Sequence, residues 1–275
     1  MITCSEFSFI KYQGNGNDFI LIDGSVYGQS LSRERIVQLC SRQYGVGADG
    51  LACVKGFKSS VLEMEFFNAD GKRALMCGNA LRCVAFHGFK SLEVLSSKIT
   101  ISLGGVSYDC FQEKEKIKVV LPLPKLKGEG VYTLGKREVP YIWVDTGVDH
   151  LVLHVEPHEV GMEEFKAFGK KVRHDKAFAP GGVNVNLAAF TSPNTIYMRT
   201  YEKGVEDETL ACGSGAAAAV FAMQRAYKNS NKNYFVEFFS KEKLEFNLEK
   251  DSRNQVLAWF MLGEAQAVFH GTISL

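Results

Sequence analysis

Cysteine is followed by glycine and a small polar residue twice in this chain, in MCGNALRCVAFHG at 76 to 88 and in ACGSGAAAAVFAM at 211 to 223, each at what reads as the start of a helix. The first four N–H groups of a helix lack partners and the macrodipole adds roughly half a positive charge at that end, so it favours anions. A thiol placed there has its thiolate favoured, its pKa falling from about 8.5 into the range of roughly 3.5 to 7.5. In Cys77-Gly78-Asn79 and Cys212-Gly213-Ser214 the small followers leave backbone N–H groups open to a ligand carboxylate. Each opening therefore offers an anion seat beside an acid/base group.

Two such openings suit one reaction class. A carboxylate held between two thiols, one ionised and one protonated, exposes its α-carbon to a base on one face and an acid on the other, and the stereocentre inverts. Helix dipoles and backbone amides would stabilise the carbanion and enediolate, so no cofactor is expected. Neither a Gly-rich phosphate loop nor a Schiff-base lysine stands out. Two other readings use the same thiols. A zinc site from Cys77, Cys83 and His87 lacks the spacing of a closed structural site. A redox sensor, its two low-pKa thiols oxidising to a disulfide, would lose function under reducing conditions.

The elements that must position these residues follow from patterning. Residues 7 to 23 read as two strands around a Gly/Asn turn, which puts Asn15 and Asn17 on a tight loop. Ser32 is a plausible N-cap for an amphipathic helix over 32 to 43, which Gly45 and Gly47 end. LEMEFFNAD reads as strand then turn, and Leu81, Val84, Ala85 and Phe86 follow helical spacing from Gly78 to about Phe89. After two more strand signals, PLPKLKGEG at 122 to 130 is the best candidate for a domain crossing. The second half offers strands at 141 to 145 and 151 to 155, a helix near 162 to 172, strands at 183 to 190 and 195 to 201, then an Ala-rich helix from 215 that is apolar nearly all round, the mark of a buried helix. The two cysteines lie about half the chain apart. An internal duplication facing itself across a cleft is the simple inference.

With 32 basic against 31 acidic residues, no global field draws the chain to nucleic acid or anionic lipid, and a small neutral or zwitterionic partner is expected. Seven cysteines, an odd number without a regular framework or a C-x-x-C pair, fit reduced thiols in a cytosol, and Cys40, Cys53, Cys83 and Cys110 sit in apolar stretches as small buried hydrophobes. No signal peptide and no long apolar span is visible, so a cytoplasmic location is expected, with neither membrane nor nucleic-acid partner; a homodimer is compatible with the sequence.

At these residues the chain resembles the diaminopimelate epimerase family, cofactor-independent enzymes that interconvert L,L- and meso-diaminopimelate on the way to lysine and peptidoglycan. The motifs run from end to end: GNGNDF (14 to 19), GVGADG (45 to 50), FNADG (67 to 71), CGNALRC (77 to 83), VNVN (183 to 186), YEKGVEDETLACGSGAA (201 to 217) and the closing GEAQAVFHGTISL. The resemblance implies an α/β (α+β) fold of two pseudo-symmetric domains, each a curled, mostly antiparallel sheet around a central helix. The domains expected are 1–121, joined by a C-terminal strand at 264–275, and 122–263. By position, Cys77 and Cys212 match the family's acid/base cysteines, and Gly78, Asn79, Gly213 and Ser214 its α-carboxylate and helix-terminus contacts. Asn17, Asn68, Asn184 and Glu202 match substrate-binding positions, although Asn17 and Asn68 would be ordinary turn formers without a ligand and Glu202 reads as a charge in a polar loop.

The departures cluster. Where the family usually has Gly-Asn-Pro-His, this chain has GVDH (147 to 150), which keeps His150 beside the reacting centre while Val148 removes an amide for the far end of the substrate. Where it has Glu-Arg-Gly, EKG (202 to 204) keeps a charge at Lys203 and loses the bidentate fork. The loop to Cys212 is one residue longer, Gly50 replaces a frequent glutamine, and Ala80 replaces a glycine. The α-carbon machinery is kept and the reader of the distal amino-carboxylate is altered, which predicts relaxed specificity and racemisation of a shorter acidic amino acid such as glutamate, its side-chain carboxylate met by Lys203. The related proline racemase-like enzymes fit less well, because their first cysteine motif typically carries histidine where this chain has Asn79.

Overall fold

The computed structural model describes residues 6–24, 31–58, 61–91, 96–134 and 137–274; Cys4 lies outside them. In chain order the elements are β1 (Glu6–Gly14), β2 (Asn17–Asp23), α1 (Arg33–Cys40), β3 (Gly50–Lys58), β4 (Val61–Asn68), β5 (Arg73–Ala74), α2 (Gly78–Ser91), β6 (Lys98–Leu103), β7 (Val106–Glu113) and β8 (Lys116–Leu121). There follow β9 (Lys125–Leu134), β10 (Arg137–Asp145), β11 (Asp149–His154), α3 (Pro157–Val160), α4 (Phe165–Arg173), β12 (Asn184–Ser192), β13 (Thr195–Glu202), β14 (Asp207–Thr209), α5 (Gly213–Ala226), β15 (Asn233–Phe238), β16 (Lys243–Lys250), β17 (Val256–Glu264) and β18 (Gln266–Ser274). The chain divides into two compact units, Met1–Val120 with Gly263–Leu275, and Leu121–Leu262.

The first unit is a sheet in the order β18-β1-β2-β3-β4-β6-β7-β8, with β5 added to β4. Its pairs are antiparallel except β2/β3 and β4/β6. A parallel pair cannot be closed by a hairpin and needs a crossover, and the two crossovers are the helices α1 and α2. Ser32 caps α1, its Oγ accepting from the Arg35 N–H at 3.3 Å. Ile36, Leu39 and Cys40 of that helix pack on Phe9, Ile20, Ile22 and Leu51. Helix α2 packs against β1, β6 and β7, with Ala80, Leu81, Cys83, Val84 and Ala85 all buried.

The second unit repeats the plan: β9-β10-β11-β12-β13-β15-β16-β17, with β14 added to β13, and parallel pairs only at β11/β12 and β13/β15. Here the crossovers carry α3 with α4, and α5. The run Ala216–Ala219 and Val220 of α5 is wholly buried, as its all-round apolar sequence requires. The small residues let the sheet close tightly on the helix.

Three expectations need correction. Asn15 and Gly16, with φ of 52° and 78°, form the turn between β1 and β2, as a two-residue hairpin demands, so Asn17 is the first residue of β2 and not a loop residue. Lys125 to Gly130, read as part of a crossing, is strand β9, paired antiparallel with β10; its glycines and lysines hide a strand that pairing imposes. Helix α4 begins at Phe165, three residues later than the sequence suggests, after the short α3 whose Glu156 and Glu159 close a capping box.

Candidate active site

The two cysteines occupy the same local position. The carbonyl of Cys77 accepts from Leu81 N–H and that of Cys212 from Ala216 N–H, both at 2.9 Å, so each closes the first turn of its helix. Cys77 is half-buried and Cys212 is buried. Both stand where the unpaired N–H groups and the positive end of the dipole point.

In the first unit the polar side chains around α2 form a directed chain. Arg82 is fully buried and donates through Nη2 to Asn79 Oδ1 at 2.8 Å and to Asn15 Oδ1. Because guanidinium only donates, the Asn79 amide must turn its nitrogen the other way, and it donates to Asn17 Oδ1. Asn17 then donates to Asp49 Oδ2 at 3.0 Å. Asp18 beside it takes Arg42 at 2.8 and 3.0 Å and Lys11 at 2.8 Å. Burial alone would raise the Asp18 pKa, but these two cations outweigh it and hold the carboxyl down at about 2. Asn17 and Asn79 are thus brought together with their amides oriented. Asn68 ends β4 opposite Gly50, its N–H donating to Lys72 O at 2.9 Å.

In the second unit Cys212 Sγ accepts from Gly215 N–H at 3.4 Å and lies 3.5 Å from Ser214 Oγ. Ser214 Oγ is 3.0 Å from His150 Nε2. His150 has no exposed surface, and burial drives its pKa down to about 3, so the imidazole is neutral. Asn184 donates to Asp149 O at 3.2 Å and accepts from Lys203 N–H at 2.7 Å. Lys203 itself is exposed. Glu202 is the last residue of β13, half-buried and paired across to Asp207, so it is a strand-end group and not the solvated loop charge the sequence suggests.

His87 is half-buried and its Nδ1 meets Tyr12 Oη at 3.0 Å, while Cys83 is fully buried in the core around α2. Sequence reasoning missed Arg82 and Asn186. Arg82 lies three residues after Asn79, on the same helix face, and Asn186 two after Asn184, on the same strand face, so periodicity held the signal.

Comparison with known proteins identifies the family. The family model described as Diaminopimelate epimerase matches residues 9–122 and 142–268. A diaminopimelate epimerase of Flavobacterium psychrophilum is 34% identical over 96% of this chain and 98% of its own length, and one of Aquifex aeolicus is 34% identical over 97% of each. In structure, a Bacillus anthracis phenazine biosynthesis protein of the PhzF family superposes with a TM-score of 0.74 at 13% identity, covering 98% of this chain and 100% of that one. A hydroxyproline epimerase from Agrobacterium vitis does so with 0.71 at 11%, covering 98% and 93%. These two establish the fold alone, so the racemase likeness is one of architecture. No helix among the described residues is long and apolar enough to cross a membrane. On its whole-length sequence match, the chain belongs to the diaminopimelate epimerase family and is an isomerase.

Proposed function

We propose that the protein interconverts L,L- and meso-diaminopimelate through Cys77 and Cys212. One thiolate takes the α-proton, breaking Cα–H and forming S–H. The electron pair passes into the carboxylate as an enediolate, and the other thiol returns its own proton to the opposite face. Thiol and thiolate exchange roles with each turnover. The observation that carries the reading is the matched helix opening within a family-wide sequence match: each cysteine caps its helix and is followed by glycine. The N–H groups at Gly78, Asn79, Gly213 and Ser214 seat the α-carboxylate and stabilise the charge that develops on it. Asn17, Asn68, Asn184, Glu202 and Lys203 hold the rest of the substrate, with His150 behind Ser214.

The Val148 side chain offers no hydrogen bond and Lys203 a point charge in place of a fork, and these support weaker discrimination against glutamate. The test is proton NMR of L,L-diaminopimelate in heavy water with reduced protein. Deuterium should enter at Cα as the meso form grows. Cys77→Ser and Cys212→Ser should each reduce this by about 10²- to 10⁴-fold, the range general acid–base groups contribute. Full exchange in either variant would sink the two-thiol reading, and L-glutamate showing no α-exchange would sink the extension.

A further inference from the structure

Asn186 of β12 is completely buried behind the Cys212 opening. Its Nδ2 lies 3.4 Å from the Leu151 carbonyl and 3.1 Å from His150 Nδ1, and its Oδ1 lies 2.9 Å from Thr200 Oγ1. A carbonyl only accepts, so the amide nitrogen must be on the Leu151 side, and the Thr200 hydroxyl donates to the oxygen. The same nitrogen then donates to His150 Nδ1, which therefore carries no proton. The ring is neutral, so its proton sits on Nε2. The charges nearest the ring are Asp149, which is paired with Lys127 at 2.8 Å, and Lys203, and they act in opposite directions. Asn184 Nδ2, 3.5 Å from Nε2, is itself a donor and is engaged by Asp149 O, so Nε2–H goes to Ser214 Oγ at 3.0 Å. With that oxygen accepting from histidine, the serine hydrogen is left to point at Cys212 Sγ, 3.5 Å away.

We propose that Asn186 is a positioning residue for Cys212: by fixing the Nε2–H tautomer of His150 it aims the Ser214 hydroxyl at the sulfur. The inference rests on the reading of Cys212 as an acid/base group. Gly215 belongs to the same device, since a Cβ there would come within 2.7 Å of Asn186 Oδ1. The Gly215 amide and the Ser214 hydroxyl then both donate to the sulfur, and both favour its thiolate. Removal of one neutral donor changes such an equilibrium by about tenfold, or one pH unit.

The experiment uses the full chain labelled with ¹⁵N-histidine and [3-¹³C]cysteine. In the wild type, His150 should show a protonated Nε2 and a bare Nδ1; the reverse tautomer overturns the proposal. Asn186→Leu, close to the native size, should populate the other tautomer. It should also raise the midpoint of the Cys212 Cβ titration by about one pH unit while leaving Cys77 where it was. Ser214→Ala should raise the midpoint equally without changing the tautomer, and Ser214→Thr should restore it. A Cys212 midpoint that stays put in Asn186→Leu or in Ser214→Ala overturns the proposal. Should Asn186→Leu fail to fold, the wild-type tautomer and the two serine variants decide. Catalysis surviving in Cys212→Ser would instead sink the two-thiol reading, and neither NMR result depends on it.

Discussion

Cysteine side chains that are chemically identical differ here only in surroundings. Burial pushes the thiols of Cys40 and Cys83 up to about 12 and Cys53 to about 11, and raises Cys110 further, so all four keep their protons and pack as small hydrophobes. Cys212 Sγ instead accepts from the Gly215 N–H at its helix opening, and Cys77 stands at the same step before α2. The space beside Gly215 is filled to contact. A Cβ at Gly215 would stand 2.7 Å from Asn186 Oδ1, 3.2 Å from Cys212 Sγ and 3.3 Å from His150 Cε1. The φ at Gly215 is helical, so alanine there is a steric test with no backbone strain. Gly215→Ala should lower kcat by about tenfold to a hundredfold, the cost of moving reacting groups by fractions of an ångström to about 1 Å. Steady-state epimerisation measured beside thermal unfolding checks this, because a protein that merely loses stability would keep its kcat at low temperature. The cysteine pair was legible from residue type alone, since the same rare opening occurs twice. Asn186 was not, because an asparagine announces nothing until strand pairing places it under His150.

Helices and strands carry these groups by different means. Helix α5 was readable because alanine after alanine leaves only a buried helix as a home for the segment. Strand β9 was not readable, because Gly128, Gly130 and its lysines lack β propensity; its place comes from partners. Lys127 lies 4.5 Å from the centre of the Trp143 ring and 2.8 Å from Asp149, which ties β9 to the strand bearing His150. The β1–β2 hairpin is tied down by Asp18, whose carboxylate binds Arg42 and the nearly buried Lys11. Its pKa is held near 2 against an ordinary 3.8, so the ionised form is favoured in the folded state. A depressed acid stabilises above its unfolded pKa and stops doing so as pH falls through its folded one. Asp18→Asn should therefore lose about 2 kcal/mol at pH 7, and the gap to wild type should close between about pH 4 and pH 2. Urea unfolding at stepped pH measures it; a gap constant across that window would show that packing, not charge, holds the hairpin.

Across the whole molecule the two units share one order of strands and one order of parallel and antiparallel pairs, with a crossover helix opening on cysteine at the same step in each. The repetition extends to single residues. Gly16-Asn17-Asp18-Phe19 leads into β2 and Gly147-Val148-Asp149-His150 into β11, both glycines with positive φ, at 78° and 93°, and both aspartates bound by lysine. Phe19 is opposite Gly50 in the first parallel pair as His150 is opposite Asn184 in the second. Val148 therefore occupies the position that Asn17 fills in the other unit. Asn17 uses its amide to join Asn79 to Asp49, and nothing comparable exists at Val148, whose part in the turn is a backbone carbonyl accepting from Thr146 N–H at 3.1 Å. Since Val148 is half-buried and its backbone carries the turn, an asparagine there keeps the fold and adds a donor and an acceptor. Val148→Asn should lower KM for diaminopimelate by about tenfold, the worth of one or two neutral hydrogen bonds, with kcat nearly unchanged because the amide would bind ground state and transition state alike. Glutamate, which is shorter and has no distal amino group, should gain nothing, so the ratio of the two specificity constants is the measurement. An equal gain for both substrates would place position 148 outside the part of the pocket that reads the substrate's far end.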